Sequence, residues 1–184
     1  MTVAVRAVSG PLAQLPNALT VLRLAAIPLF VALMLGAEGR SWPAVAVFTV
    51  AGVTDQVDGW LARRWGVESE FGRVVDPLAD RLLIDAAVVL LWLDGRLPWP
   101  ALAIVLARDV VLVAGYKLVV PRGYELSVSL LGKLATWVLY AALFLVLVTP
   151  DGTEWPLWLF WAGLALAVAA GVGYLARAWR YVRA

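Results

Sequence analysis

Long apolar runs fill most of this sequence, and they restrict its fold more than any other feature. Six runs, each near the roughly twenty residues that cross about 30 Å of hydrocarbon as a helix, alternate with short polar segments. Because 63% of the residues are hydrophobic and 15% are charged, a soluble domain of this length could not bury its apolar surface. The sequence therefore predicts an all-α polytopic membrane protein, a single domain over residues 1–184. Its six transmembrane helices are expected at about 17–36, 43–64, 76–94, 98–119, 130–149 and 156–178.

The distribution of positive charge predicts the orientation of these helices. Of the 15 Lys and Arg residues, only Arg40 and Arg96 fall outside if the amino terminus is cytoplasmic. Arg108 lies in the middle of a helix, and the remaining twelve fall on the cytoplasmic side. Since cytoplasmic segments of membrane proteins carry the excess of Lys and Arg, we expect a multi-pass protein of the cell (inner) membrane with this orientation.

Four carboxylates stand where the second and third apolar runs approach each other. Asp55 and Asp58 are three residues apart and Asp76 and Asp80 are four apart, so each pair shares one helix face. Pro77 suits a first helical position, which predicts Asp76 as the N-cap of the third helix. A charge at the centre of a membrane helix costs about 2.5–3.5 kcal/mol, so such residues normally mark a functional site.

Converging carboxylates in a poorly hydrated site need cations. Hard divalent ions with oxygen ligands, such as Mg²⁺ or Mn²⁺, meet that need and leave positions open for substrate phosphates. The sequence contains no cysteine and no histidine. It therefore offers no thiol chemistry, and carboxylates remain as the candidate general bases. The residues by themselves predict metal-assisted chemistry on a phosphate ester or anhydride at a membrane surface.

The pattern D-x2-D-G-x2-A-R-x8-G-x3-D-x3-D resembles the signature of the CDP-alcohol phosphatidyltransferase family. All eight fixed positions match: Asp55, Asp58, Gly59, Ala62, Arg63, Gly72, Asp76 and Asp80. The resemblance implies a bundle around a cytoplasm-facing polar cavity and transfer of a phosphatidyl group from CDP-diacylglycerol to an alcohol, with release of CMP. It also implies two divalent ions, membrane lipids as partners, a homodimer and no nucleic acid.

The resemblance assigns roles to the motif residues. Asp55, Asp58 and Asp76 match the metal ligands of the family. Asp80 matches the general base and a further metal ligand. Positions around the cytidine diphosphate are matched by Asp58, Gly59, Ala62, Arg63 and Gly72.

Acceptor-binding candidates lie outside the motif, and each has a structural alternative. The first helix begins with Asn17, Thr20 and Arg23. These residues either bind the acceptor or serve only as a helix N-cap and an interfacial cation. Arg108, beside Asp109, is either an acceptor ligand or half of an internal ion pair. Lys133 is either a phosphate contact or an interfacial residue, and Arg122 is a weaker candidate.

The acceptor itself has two candidates. Leu15-Pro16-Asn17 and the Thr20 and Arg23 that follow resemble the branch that uses glycerol 3-phosphate, which makes phosphatidylglycerophosphate. The Arg108-Asp109 pair and the segment 132–136 resemble actinobacterial cardiolipin synthases, which use phosphatidylglycerol. A divalent-cation transporter is the alternative from a different class, but the outer halves of the helices lack the polar groups that a permeation path needs.

Overall fold

The structure is a computed structural model that describes residues 15–37, 39–65, 70–119 and 129–183. It is all-helical over these residues, as predicted. The six helices are α1 (Leu15–Leu35), α2 (Trp42–Trp65), α3 (Glu70–Leu93), α4 (Trp99–Val119), α5 (Leu130–Val148) and α6 (Trp155–Arg183).

Most helix boundaries agree with the hydropathy pattern, but the start of α3 does not. The helix begins at Glu70, six residues before the predicted start, so Asp76 lies within α3 and is not its N-cap. The apolar positions 71, 74, 75 and 78 follow helical spacing across the proline, and this periodicity favours a continuous helix. Because Pro77 has no backbone N–H, the continuous helix lacks one hydrogen bond at this residue.

Three helices are long and apolar enough to cross a membrane, judged over the described residues. They are the segments Ala18–Leu35, Leu130–Val148 and Trp155–Arg180, and Trp42–Thr54 is a shorter apolar stretch. The structure therefore supports a membrane protein, and six spans remain a prediction.

The chain forms two compact units, residues 1–86 and 87–184. In the first unit, α1 packs along α2. The contact is centred on Phe30 and Phe48, whose ring centroids are 5.6 Å apart and whose side chains are almost fully buried. Only residues 36–41 connect these helices, so they run antiparallel.

In the second unit, α6 packs against both α5 and α4. Gly163 permits the first contact, because a Cβ there would lie 3.0 Å from Val138 Cγ1 and 3.1 Å from the backbone nitrogen of Leu139. Gly115 permits the second, since its Cβ would lie 3.1 Å from Leu175 Cδ2. Gly163 on α6 and Gly115 on α4 therefore serve close helix packing.

Two loops of the second unit are joined by a half-buried arginine. Arg96, in the α3–α4 loop, donates from Nη2 to the carbonyl oxygen of Thr149 at 2.7 Å and pairs through Nε with Asp151 at 3.0 Å. Gly95 and Gly152 adopt positive φ angles of 73° and 80°, which let the chain turn sharply on each side of this contact. The Arg96 contact fixes the two loops to each other.

Candidate active site

All eight motif positions lie on helices. Asp55, Asp58, Gly59, Ala62 and Arg63 belong to the second half of α2, and Gly72, Asp76 and Asp80 belong to the first half of α3. Only residues 66–69 separate the two helices. The side chains at these eight positions lie outside the described residues, so their roles remain predictions.

The motif positions of α2 continue the buried stripe of that helix. Ala44, Phe48 and Ala51 are buried, whereas Val50 and Val53 are mostly exposed. Positions 55, 58, 59 and 62 follow 51 at the helical intervals that keep one face. The same face that packs near α1 thus carries the acidic positions further along the helix.

On α3 the acidic positions are also in register with buried residues. Ala79, Leu83 and Ile84 are buried, and positions 76 and 80 precede Ile84 by eight and four residues. Residues four apart lie one above the other on a helix. Both acidic pairs therefore have backbone positions on the core-facing stripes of their helices.

Two of the predicted acceptor residues are buried in the first unit. Thr20 and Arg23 are each only 1% exposed. Arg23 precedes Phe30 by seven residues, and position 55 follows Phe48 by seven, so each lies about 10 Å from the aromatic contact at 1.5 Å per residue. Because α1 and α2 are antiparallel, Arg23 is level with position 55, and Thr20 is level with position 58 by the same count.

Burial of Arg23 favours acceptor binding over an interfacial cation, and its role stays a prediction. An interfacial cation would extend towards water, whereas this guanidinium is enclosed. Burying a charge is costly unless opposite charge is close. The side chain of Asn17 lies outside the described residues, and its backbone belongs to α1.

Arg108 and Asp109 form a buried ion pair within α4. Both Nε and Nη2 of Arg108 donate to Oδ1 of Asp109, at 3.0 and 2.7 Å. The side chains are 12% and 10% exposed. The charge of Arg108 is therefore largely compensated by its neighbour, and both interpretations of Arg108 stay predictions. Neither of these two bonds uses Nη1.

Lys133 lies in the first turn of α5. The hydroxyl of Ser129 caps this helix by accepting a hydrogen bond from the Gly132 amide at 3.1 Å. The Lys133 side chain is exposed, which leaves both interpretations of it open. Arg122 lies outside the described residues.

The second unit contains a cavity of about 320 Å³ at the two joined loops. Its polar lining includes Asp94, Arg96, Asp151 and Glu154, and none of the predicted site residues contributes to it. The predicted polar cavity around the motif is thus a different feature, and it remains a prediction.

The donor set at the motif suits divalent ions. Four carboxylates at spacings of three and four, on two helices joined by four residues, supply the hard oxygen ligands that Mg²⁺ and Mn²⁺ prefer. Among the side chains that the structure describes, no group of three acidic residues is close enough to hold a metal ion. The motif carboxylates are not among those side chains.

Comparison with known proteins identifies the family. The profile of the CDP-alcohol phosphatidyltransferase family matches residues 13–169, which is most of the chain. The chain belongs to the CDP-alcohol phosphatidyltransferase family. It is accordingly an enzyme of phospholipid biosynthesis, as the eight-position motif indicated.

Three relatives with different names match most of the chain. A Mycobacterium tuberculosis protein named "Probable phosphatidylglycerophosphate synthase" is 38% identical over 178 residues, covering 92% of this chain and 83% of its own. A Streptomyces coelicolor "Cardiolipin synthase (CMP-forming)" is also 38% identical, over 185 residues, covering 92% of this chain and 85% of its own. An Escherichia coli K12 "CDP-diacylglycerol--glycerol-3-phosphate 3-phosphatidyltransferase" is 34% identical over 164 residues, covering 86% and 87%.

Sequence reasoning missed the contacts that organise the second unit. It counted Arg96 only as one of two cations outside the membrane, and it gave Ser129 no role. The signal for Ser129 was its position just before an apolar run, which is typical of an N-cap. No local signal pointed to Arg96, because its partners lie more than fifty residues away.

Proposed function

We propose that this enzyme transfers the phosphatidyl group of CDP-diacylglycerol to the hydroxyl of glycerol 3-phosphate and releases CMP. The proposal rests chiefly on one observation, the complete motif of four carboxylates on α2 and α3 in a chain of this family. The relatives from M. tuberculosis and E. coli carry names of this activity and match the chain over most of its length.

In the proposed mechanism the α2 and α3 carboxylates have separate tasks. Asp55, Asp58 and Asp76 would hold two divalent ions, with Asp80 as a further ligand. When bound, these ions would neutralise the diphosphate of the donor and the charge that develops on the leaving CMP. Asp80 would accept the proton of the attacking hydroxyl.

Small residues beside the carboxylates would admit the nucleotide. Gly59 and Ala62 follow Asp58 on α2 and add little side-chain bulk, as does Gly72 near the start of α3, and Arg63 would supply a cation for the diphosphate. The two acyl chains of the donor would stay in the bilayer, since the apolar helix faces offer them a surface continuous with lipid. Only the headgroup would enter the site.

The acceptor end of the site would be supplied by other helices. Thr20 and Arg23 support this assignment because they are buried and level with the acidic positions of α2. Asn17 is one turn further towards the amino terminus of α1. Arg108, Lys133 and Arg122 are the candidates from the second unit, and Arg108 would use Nη1, since its other donors bind Asp109.

Cardiolipin synthase is the second candidate function. The S. coelicolor relative of that name is as similar in identity as the M. tuberculosis protein. The Arg108–Asp109 pair favours this candidate on physical grounds. A pair with little net charge is better suited to the hydroxyls of phosphatidylglycerol than to the dianionic phosphate of glycerol 3-phosphate.

The environment of the enzyme completes the proposal. Twelve of the 15 Lys and Arg residues fall on the side that carries the motif, which supports an inner-membrane protein of six spans with its active site open to the cytoplasm. A homodimer is proposed on the family resemblance.

CMP release by the purified enzyme tests these alternatives. With CDP-diacylglycerol and Mg²⁺ or Mn²⁺, we expect CMP release when glycerol 3-phosphate is added, and its loss when a chelator removes the metal. Release with phosphatidylglycerol alone would establish the second candidate. Cation flux into proteoliposomes without CMP release from any acceptor would instead support the transporter.

A further inference from the structure

The carboxyl-terminal part of α6 carries two arginines in an unusual arrangement. Nη1 of Arg177 lies 3.8 Å from the point where a Cβ of Gly173 would be. Nε of Arg180 donates to the carbonyl oxygen of Ala176 at 3.3 Å. Each guanidinium therefore folds back one turn along the helix, and because the two residues are three apart, both groups occupy neighbouring positions on the helix surface.

The tryptophans of α6 indicate the depth of these groups in the membrane. Trp158 is 72% exposed and Trp179 is 60% exposed. Twenty-one residues separate them, so they are about 32 Å apart along the helix, close to the thickness of the hydrocarbon core. Since tryptophan is enriched at both membrane interfaces, Trp179 marks the interface at the carboxyl end of α6. Arg177 and Arg180 flank that level.

Because the side chains of Arg177 and Arg180 fold back along α6, their guanidinium groups lie closer to the hydrocarbon core than those of extended side chains would. A long basic side chain at a helix end ordinarily extends outwards into water. Here the absence of a side chain at Gly173 gives the Arg177 guanidinium room to lie along the helix. A charge held at this depth needs an anion close to it.

The described part of the protein does not supply that anion. Neither Arg177 nor Arg180 forms an ion pair with any residue that the structure describes, and both are exposed. Helix α6 has no acidic residue. The neighbouring helix ends add positive charge, because α4 meets α6 at Gly115 and α5 meets it at Gly132, which brings the basic positions 117 and 133 to the same end.

We propose that Gly173, Arg177 and Arg180 form a binding site for the phosphate of an anionic phospholipid in the leaflet around the carboxyl end of α6. Two guanidinium groups present several donors in fixed planes, which is the arrangement that binds phosphate in a bidentate way. The lipid would sit on the outside of the bundle, with its chains along α6. The site is separate from the motif and does not depend on which acceptor the enzyme uses.

Lipid selectivity of the intact protein in vesicles tests this site. The measurement is the relative association of spin-labelled phosphatidylserine against phosphatidylcholine, by electron paramagnetic resonance. Phosphatidylserine is neither donor nor acceptor in the proposed reaction, so the active site does not contribute. We expect selectivity for phosphatidylserine that weakens in high salt. The Arg177→Gln/Arg180→Gln variant should reduce it by about fivefold for each arginine removed, the effect of one basic residue at an anionic surface.

Two further variants distinguish a specific phosphate-binding site from nonspecific attraction of anionic lipid to positive charge. Arg40→Gln removes an exposed arginine of the α1–α2 loop, where it lies over Trp42, and should leave selectivity unchanged. Gly173→Leu keeps both charges, favours the helix and fills the space under Arg177, so it should lower selectivity. Full selectivity in the double variant, an equal loss with Arg40→Gln, or no effect of Gly173→Leu would overturn the proposal.

Discussion

At the scale of single residues, buried charge is the feature with the largest energetic consequence. Arg23 is enclosed in the first unit at the level of position 55, and Arg108 is enclosed in α4 against Asp109. Removing one member of a buried pair costs about 3–5 kcal/mol, because the other charge is left without compensation. Experiments on these residues therefore need substitutions that keep the charges balanced.

Asp80 is the residue for which the proposed chemistry makes the sharpest prediction. Asp80→Asn keeps the size of the side chain but cannot accept the proton of the attacking hydroxyl. We expect CMP release to fall by at least about a hundredfold, the lower end of the contribution of general-base catalysis, while CDP-diacylglycerol still binds. Steady-state CMP release and equilibrium binding of the nucleotide lipid measure the two effects.

A matched control for this change is available just beyond the end of the same helix. Asp94 is exposed just after the end of α3, and Asp94→Asn should leave turnover at the native level. Normal turnover by Asp80→Asn would remove Asp80 as the base.

Arg108 is best tested together with its partner. The double variant Arg108→Gln/Asp109→Asn removes both charges of the pair. If Nη1 of Arg108 binds the acceptor, the acceptor KM should rise about 10–100-fold, the value of a charge-assisted hydrogen bond, and the donor KM should stay within about twofold. Initial-rate kinetics with each substrate varied provide the measurement. An unchanged acceptor KM would assign the pair a structural role.

At the scale of helices, packing in the second unit depends on where glycine occurs. Gly163 and Gly171 both lie on α6, but only Gly163 is in tight contact, with Val138 and Leu139 of α5. At Gly171 the nearest atom to an added Cβ would be Leu112 Cδ2 at 3.7 Å, which is an ordinary contact distance. A substitution at Gly171 is therefore a suitable control for the same substitution at Gly163.

Gly163→Ala should destabilise the protein, and Gly171→Ala should not. At Gly163 the new methyl group meets the Leu139 backbone nitrogen at 3.1 Å, and backbone cannot move as a side chain can. Overpacking of this kind costs about 1–3 kcal/mol, which is more than the gain of about 1 kcal/mol from better helix propensity. Thermal unfolding in detergent should show a lower midpoint for Gly163→Ala alone. Equal midpoints for both variants would mean that α5 and α6 separate easily.

At the scale of the whole molecule, the distribution of charge is the main determinant of topology. The loops that contain Arg40 and Arg96 have few cations, whereas the opposite ends of the helices carry most of them. Three helices meet the standard for spans on composition alone. Helices α2 and α3 carry the motif positions, and α4 carries the Arg108–Asp109 pair.

Cysteine accessibility in cells tests the proposed topology. The chain has no cysteine, so a single introduced thiol reports one position without background. Glu154→Cys, in the α5–α6 loop, should react with a membrane-impermeant maleimide in intact cells. Ala184→Cys, at the carboxyl terminus, should react only after the membrane is permeabilised. The reverse pattern would place the motif outside the cell and exclude cytoplasmic CDP-diacylglycerol chemistry.

The sequence alone determined the class of the protein, the six helices and the motif. Apolar runs and helical spacing are local properties, so they could be read without knowledge of distant contacts. The resemblance of eight fixed positions led to the same family that comparison with whole chains identified. The spacing of the apolar residues around Pro77 also indicates the observed start of α3 at Glu70, whereas the proline itself suggested a start at Asp76.

Only the tertiary structure decided which polar side chains are enclosed and what they contact. Arg23, Arg96 and Arg108 look alike in the sequence, as single cations near or within apolar runs. In the structure one is buried level with the acidic part of α2, one joins two loops and one binds its neighbour in α4. These differences arise from the rotation of each helix and from contacts between residues far apart in the chain, and a helix's own sequence does not specify either.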